Sequence, residues 1–203
     1  NLFPISKEGW SYIGYSFLAF LVLGLLDLEF LQFFAFILVL FLVYVYRNPE
    51  RQIMALEKGG VVSPVDGRVA DIKEKEDSVE ITVDSSYSDV SVLRIPMSCS
   101  VKGVEYINGA SLSKNSPKAQ ILNEKLVVDF EDEDKNTLKV SHISRLNFSN
   151  ISHDLIESQR VIQGFRYGVM LKGTTKITLS NPKKIDVSIG DEIRGCDSII
   201  AYF

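Results

Sequence analysis

GFRYGVMLKGTTKITLS, residues Gly164–Ser180, has the pattern of a β-hairpin whose second arm opens on Gly173-Thr174-Thr175. In that arm Thr175, Ile177 and Leu179 alternate with Lys176 and Thr178, the period of two that belongs to a half-buried strand. The same texture extends outward from it. Short runs rich in β-branched residues are expected as strands at Arg68–Ile72, Val79–Val83, Val90–Ile95, Lys125–Phe130, Thr137–Ser141, Thr175–Leu179 and Ile199–Phe203. Gly, Asn, Asp and Pro turns separate them. The acidic stretch Glu131–Asp134, followed by Lys135-Asn136, reads as a solvated turn between two of these strands. From Gly59 onward the chain is therefore predicted to be β-rich.

The N-terminal quarter is different. Between Trp10 and Tyr46 the only charged residues are Asp27 and Glu29, which places much of the chain's 46% hydrophobic content there. As one helix this run is longer than a span of roughly 20 residues and puts two carboxylates in hydrocarbon. Two helices, 10–26 and 30–46, turning at Asp27-Leu28-Glu29, avoid that cost; each is near the short limit of a span, and a shallow re-entrant hairpin is the alternative. The expectation is an N-terminal transmembrane helical hairpin over residues 1–52, with a β-rich domain over 53–203. Lys7 flanks one end and Arg47 and Arg51 the other, so both ends and the domain are expected on the cytoplasmic side of a bacterial inner membrane. No small-residue cleavage site of a signal peptide is evident.

The remaining composition excludes several classes. The net charge is −4 and the basic residues are scattered, so no nucleic-acid partner is expected. Cys99 and Cys196 have no metal-binding spacing and read as free thiols in a reducing compartment. Neither His142 nor His153 has a ligand at metal spacing, so no metal is expected.

VVSPVDGRVADI (Val61–Ile72) and VSIGDEIRGCDSIIAYF (Val187–Phe203) carry Asp-Gly and Gly-Asp turns like the halves of a barrel sandwich, without the Met-Lys pair of a biotinyl or lipoyl carrier. FPISKEGW (Phe3–Trp10), the apolar hairpin, YRNPERQ (Tyr46–Gln52) and VVSPVDGRV (Val61–Val69) then follow in a distinctive order. With NGASL, NEKLVVDFED and VIQGFRYGVMLKGTTKITL (Val161–Leu179), that order resembles the short, membrane-bound phosphatidylserine decarboxylases over nearly the whole chain.

The resemblance implies a specific chemistry. In that family a Gly-Ser peptide near the C-terminus cleaves itself: the hydroxyl attacks the preceding carbonyl, and the ester formed is expelled by β-elimination. The serine becomes a pyruvoyl group, an electron sink for decarboxylating phosphatidylserine to phosphatidylethanolamine. Gly173-Thr174 stands at this position, so Thr174 would yield a 2-oxobutyryl group instead. Threonine retains the hydroxyl but its β-branching restricts χ1. Read without the family, Thr174-Thr175 is a β-favouring pair opening a strand.

The family's base set comprises an Asp in Ser-Pro-x-Asp-Gly, matched by Asp66, and a His in a stretch like SPLDVHVNR. Asp66 also suits a plain turn role. IPMSCSVKGVEYING (Ile95–Gly109) is matched to the histidine stretch, placing the base position near Val101, between Cys99 and Lys102, with no histidine. Asp66, Gly173 and Thr174 are thus the candidate site, with phospholipid, in particular phosphatidylserine, as partner and homo-oligomerisation left open. The alternative is a catalytically degenerate member acting as a lipid-binding or protein-interaction module.

Overall fold

The computed structural model describes residues 4–51 and 59–203; Phe3, Gln52 and the expected boundary at 52/53 lie outside them. It divides into two compact units, Asn1–Glu50 and Arg51–Phe203.

The first unit is a helix pair, α1 (Trp10–Leu25) and α2 (Glu29–Val45). Both runs lack proline, and α1 ends where Asp27 takes φ 52°, a conformation that a short polar side chain tolerates better than a branched one. The open end is tied by an antiparallel bridge between Ile5 and Arg47, and the Ser6 N–H donates to the Tyr46 carbonyl at 2.9 Å. Gly9 lets Tyr46 close over this end, because a Cβ there would sit 2.5 Å from the Tyr46 ring. The expected transmembrane hairpin is not what these helices build. No described helix is long and apolar enough to cross a membrane. Sixteen and 17 residues rise about 24–26 Å, short of a hydrocarbon core of about 30 Å. The turn consumes Leu26 to Leu28, and Glu29 enters the second helix instead of staying in the loop.

The second unit is β-rich. It opens with β1 (Gly60–Val62), β2 (Gly67–Lys75), β3 (Ser78–Ser85), β4 (Val92–Arg94) and the long β5 (Cys99–Ile107). After a single helical turn, α3 (Ala119–Leu122), β6 (Lys125–Glu131) and β7 (Thr137–Ser144) pair across the acidic turn. Short β8 (Ser152–His153) and β9 (Arg160–Val161) lead to β10 (Arg166–Val169) and β11 (Gly173–Ser180). β12 (Lys184–Ile185), β13 (Glu192–Ile193) and β14 (Ile199–Tyr202) close the chain.

The main sheet runs β13-β2-β3-β11-β7-β6-β5-β9, flanked by two three-stranded sheets, β1-β14-β12 and β4-β10-β8. The Gly164–Ser180 hairpin expected from the sequence does not form. β10 pairs with β4 and β8, whereas β11 is clamped antiparallel between β3 and β7. Met170, Leu171 and Lys172 carry the chain from one sheet to the other, and all three backbone positions between the strands are spent on that crossing. One face of the main sheet, including Ile81, Val83, Leu126, Val128, Phe130, Leu138, Val140, Ile177 and Leu179, packs the hydrophobic core.

Candidate active site at the start of β11

The Gly173-Thr174 peptide opens β11 deep inside the sheet. Gly173 pairs with Ser85 on one side and Ser144 on the other, and Thr174 with Asp84 and Ile143. Thr174 is buried, and its Oγ1 donates to Asp84 Oδ1 at 2.6 Å. Arg145 Nη1 reaches the same oxygen at 3.2 Å, and Lys114 Nζ holds the other. Partial burial pushes Asp84 up, but the hydrogen bonds from Lys114 and Thr174 and the charge of Arg145 outweigh it, holding the carboxyl below the usual range. The carboxylate therefore fixes and polarises the Thr174 hydroxyl while remaining a weak proton acceptor.

Gly173 is sterically required. An added Cβ would lie 2.4 Å from the Ile143 carbonyl oxygen and 2.6 Å from Met170 Sδ. Gly173→Ala is expected to cost about 1–3 kcal/mol, the range of overpacking, read as a lower urea midpoint. An unchanged midpoint would show that the crossing relaxes freely.

Asp66 is placed elsewhere. Its two carboxylate oxygens take a two-pronged ion pair from Arg51, Nη2 to Oδ2 at 2.7 Å, and the Gly195 N–H donates to Oδ1 at 2.7 Å. β3 separates β2, which begins just after Asp66, from β11. Asp66 thus ties the Gly195 turn to Arg51, while Asp84 provides the carboxylate at Thr174. The sequence reading missed Asp84 because it ended the strand at Val83. The available signal was the alternation itself, which puts a charged Asp84 out of step with Ile81 and Val83.

Val101 is also remote, on β5, three strands from β11 in the sheet order. A better match to the quoted histidine stretch is SYSDVSVLR, Ser86–Arg94, which aligns without a gap and shares Ser86, Asp89, Val90, Val92 and Arg94. The histidine position then falls on Ser91. Ser91 is buried and its carbonyl accepts the Met170 N–H at 2.9 Å, beside the crossing into Gly173.

His142 sits opposite Thr175, on the face of β11 that packs the core. Its Nδ1 is hydrogen-bonded to Thr175 Oγ1 at 2.8 Å and its Nε2 to the Tyr167 hydroxyl. Burial pushes the imidazole down to about 3 and the Tyr167 phenol up, so this chain of polar groups is neutral at pH 7. Cys99 and Cys196 are buried free thiols, Cys99 pushed up to about 12 by burial. Among the described residues no group of three His, Cys, Asp or Glu is placed to hold a metal ion.

The Gly173-Thr174 peptide thus opens β11 with its hydroxyl on Asp84 and not on the expected Asp66, and comparison with known proteins decides the family. The sequence profile of phosphatidylserine decarboxylase matches residues 38–201. The chain belongs to the phosphatidylserine decarboxylase family. The phosphatidylserine decarboxylase proenzyme of Ehrlichia chaffeensis is 31% identical, with 98% of this chain and 91% of the relative covered. Proenzymes of the same name from Nitrosomonas eutropha and Rickettsia bellii are 25% and 28% identical, each aligned to 98% of this chain and to 95% and 90% of their own lengths. No solved structure matches.

The family's prosthetic group is made from the chain, so its fit can be judged on residues present. The carbons of a 2-oxobutyryl group derived from Thr174 are those of Thr174 itself, and its Cβ and methyl already lie in the buried space beside Asp84. A group made from Thr174 would carry one methyl more than a serine-derived one, in space the Thr174 side chain already fills.

Proposed function

We propose that this protein is a phosphatidylserine decarboxylase-type proenzyme with a slowed self-processing step at Gly173-Thr174, acting on phosphatidylserine at the cytoplasmic face of a bacterial inner membrane. The observation that carries the reading is the Thr174 hydroxyl held on Asp84 at 2.6 Å within the scission peptide. Asp84 orients the hydroxyl, and Lys114 and Arg145 hold Asp84. Proton removal is the weak part: the carboxylate lies below its usual range, and Ser91 occupies the histidine position. Once formed, an α-keto acyl group supplies the electron sink for losing the substrate's carboxylate.

Lipid contact is supported by the helix pair. Tyr15, Leu25 and Phe30 are 75%, 85% and 74% exposed, and a continuous apolar surface of this kind marks an interaction site. Lys7 and Arg47 at its open end suit an anionic leaflet. A second reading, a family member that binds lipid without chemistry, is favoured by the weak proton acceptor at Thr174.

Intact mass of the purified protein tests the proposal. The expected spectrum is dominated by the uncleaved chain, with a minor small fragment that starts at position 174 with a 2-oxobutyryl group and resists Edman sequencing. Two fragments in full yield, with carbon dioxide released from phosphatidylserine, would overturn the slowed step. Complete absence of scission after prolonged incubation favours the lipid-binding reading.

A further inference from the structure

We infer that Thr175 is a second self-cleaving residue of this chain, with His142 carrying its proton, so that the backbone opens between Thr174 and Thr175 as well as before Thr174. This cleavage goes beyond the Gly173-Thr174 scission and proceeds whether or not that one does.

A hydroxyl and a histidine base meet one residue beyond the expected nucleophile. Thr175 lies directly opposite His142 in the pairing of β11 with β7. Its Oγ1 is 2.8 Å from Nδ1, and the other ring nitrogen, Nε2, is hydrogen-bonded to the Tyr167 hydroxyl. A nucleophile on a base, with the base held by a third group that fixes its ring, is the arrangement that activates a hydroxyl. With the ring proton on Nε2, Nδ1 is the acceptor for the Thr175 proton. Thr175, His142 and Tyr167 are 0%, 0% and 1% exposed, so solvent does not compete for that hydroxyl. The Thr174 hydroxyl is held instead by Asp84, whose carboxylate is already committed to Lys114 and Arg145.

The first step is an isomerisation and needs no co-reactant. Thr175 Oγ1 attacks the Thr174 carbonyl carbon, and Nδ1 takes the hydroxyl proton and returns it to the departing Thr175 nitrogen. The C–N bond breaks as the C–O bond forms, leaving an ester in place of the peptide. Burial holds the imidazole well below its ordinary value, which opposes a proton arriving from solvent. A proton passed from Thr175 to the ring and on to the leaving nitrogen brings no net charge into the core. Water then hydrolyses the ester to a Thr174 carboxylate and a small fragment that begins with an unmodified Thr175. That fragment carries no keto group, so cleavage here makes no decarboxylase and removes Thr174 from the C-terminal piece.

Prolonged incubation of the folded full chain with neutral hydroxylamine, which cleaves an ester in preference to a peptide, tests this route. It leaves a hydroxamate on the residue whose carbonyl was attacked. Fragment masses are expected to place it on Thr174, with a companion fragment that starts at Thr175 and is read by Edman sequencing, unlike the blocked fragment expected from Gly173-Thr174. His142→Gln should slow this trapping at least about 100-fold, the lower end of what a positioned base contributes. Thr175→Ser, which keeps the hydroxyl and frees χ1, should speed it. The urea midpoint of each variant is measured alongside, and should His142→Gln not fold, the site of the hydroxamate in the wild type and in Thr175→Ser decides. A hydroxamate on Gly173 alone overturns the Thr175 route and leaves the Gly173-Thr174 scission standing. No trapped fragment in either the wild type or Thr175→Ser, or equal trapping in a folded His142→Gln, also overturns it. A hydroxamate on Thr174 with none on Gly173 supports Thr175 while the Gly173-Thr174 scission fails, so the two are distinguishable.

Discussion

Ser91→His combined with Thr174→Ser is expected to accelerate chain scission by about 10²–10⁴-fold, the contribution of a positioned general base. Each change addresses a different defect. Serine removes the methyl that restricts χ1 at the nucleophile, leaving the hydroxyl to Asp84. Histidine supplies an imidazole nitrogen as proton acceptor from the segment that hydrogen-bonds Met170, whose sulfur borders Gly173. Thr174→Ser alone should gain little, because the proton would still have only an Asp84 already committed to Lys114 and Arg145. The measurement is a time course of intact mass for the single and double variants, with circular dichroism to check that a buried serine tolerates the imidazole. Full scission by Thr174→Ser alone would show that the missing histidine is not the limiting defect. Equal acceleration by Val101→His would return the base position to β5.

The second large effect is a loss of stability in mild acid, set by His142. The folded imidazole is pushed down to about 3 by burial, whereas an exposed histidine titrates near 6.5. The unfolded chain therefore binds a proton below about pH 6.5 that the folded chain refuses, so stability is complete above that value and declines as pH falls toward 3. The slope is about 1.4 kcal/mol per pH unit, giving roughly 2–3 kcal/mol lost by pH 4.5. Urea unfolding at pH 7 and 4.5 measures it. Replacing the whole network by apolar groups of similar shape, His142→Leu with Thr175→Val and Tyr167→Phe, should keep most of the neutral stability and flatten this pH dependence. An equally steep acid loss in the triple variant would assign it to other groups. His142→Leu alone should be the worse protein, since it strands the Thr175 and Tyr167 hydroxyls in the core.

The strands that were legible from sequence are those with clean alternation: β2, β3, β6, β7 and β11 each contain the run expected there. β5 was not, because Lys102, Gly103 and Glu105 interrupt its pattern. A register shift between Val101 and Gly103 absorbs that interruption in the sheet. The helix pair was legible as two apolar segments around Asp27, each near the short limit of a span; that both fall short of it depended on where the turn began and ended.

By itself the sequence determined the family, Gly173-Thr174 as the candidate scission peptide and the β-rich character after Gly59, because each is carried by residue identity and order along the chain. Which carboxylate meets Thr174 was decided only by tertiary structure. Asp66 and Asp84 are both acids at the edge of a predicted strand, and alternation gives the face of Asp84 but not its partner on another strand. The pairing register of β3 against β11 sets Asp84 directly opposite Thr174, while Arg51 and the Gly195 turn take the carboxylate of Asp66. The same holds for His142: one residue of register on β7 places it against Thr175 in the core instead of against Thr174, because adjacent strand residues face opposite sides of a sheet.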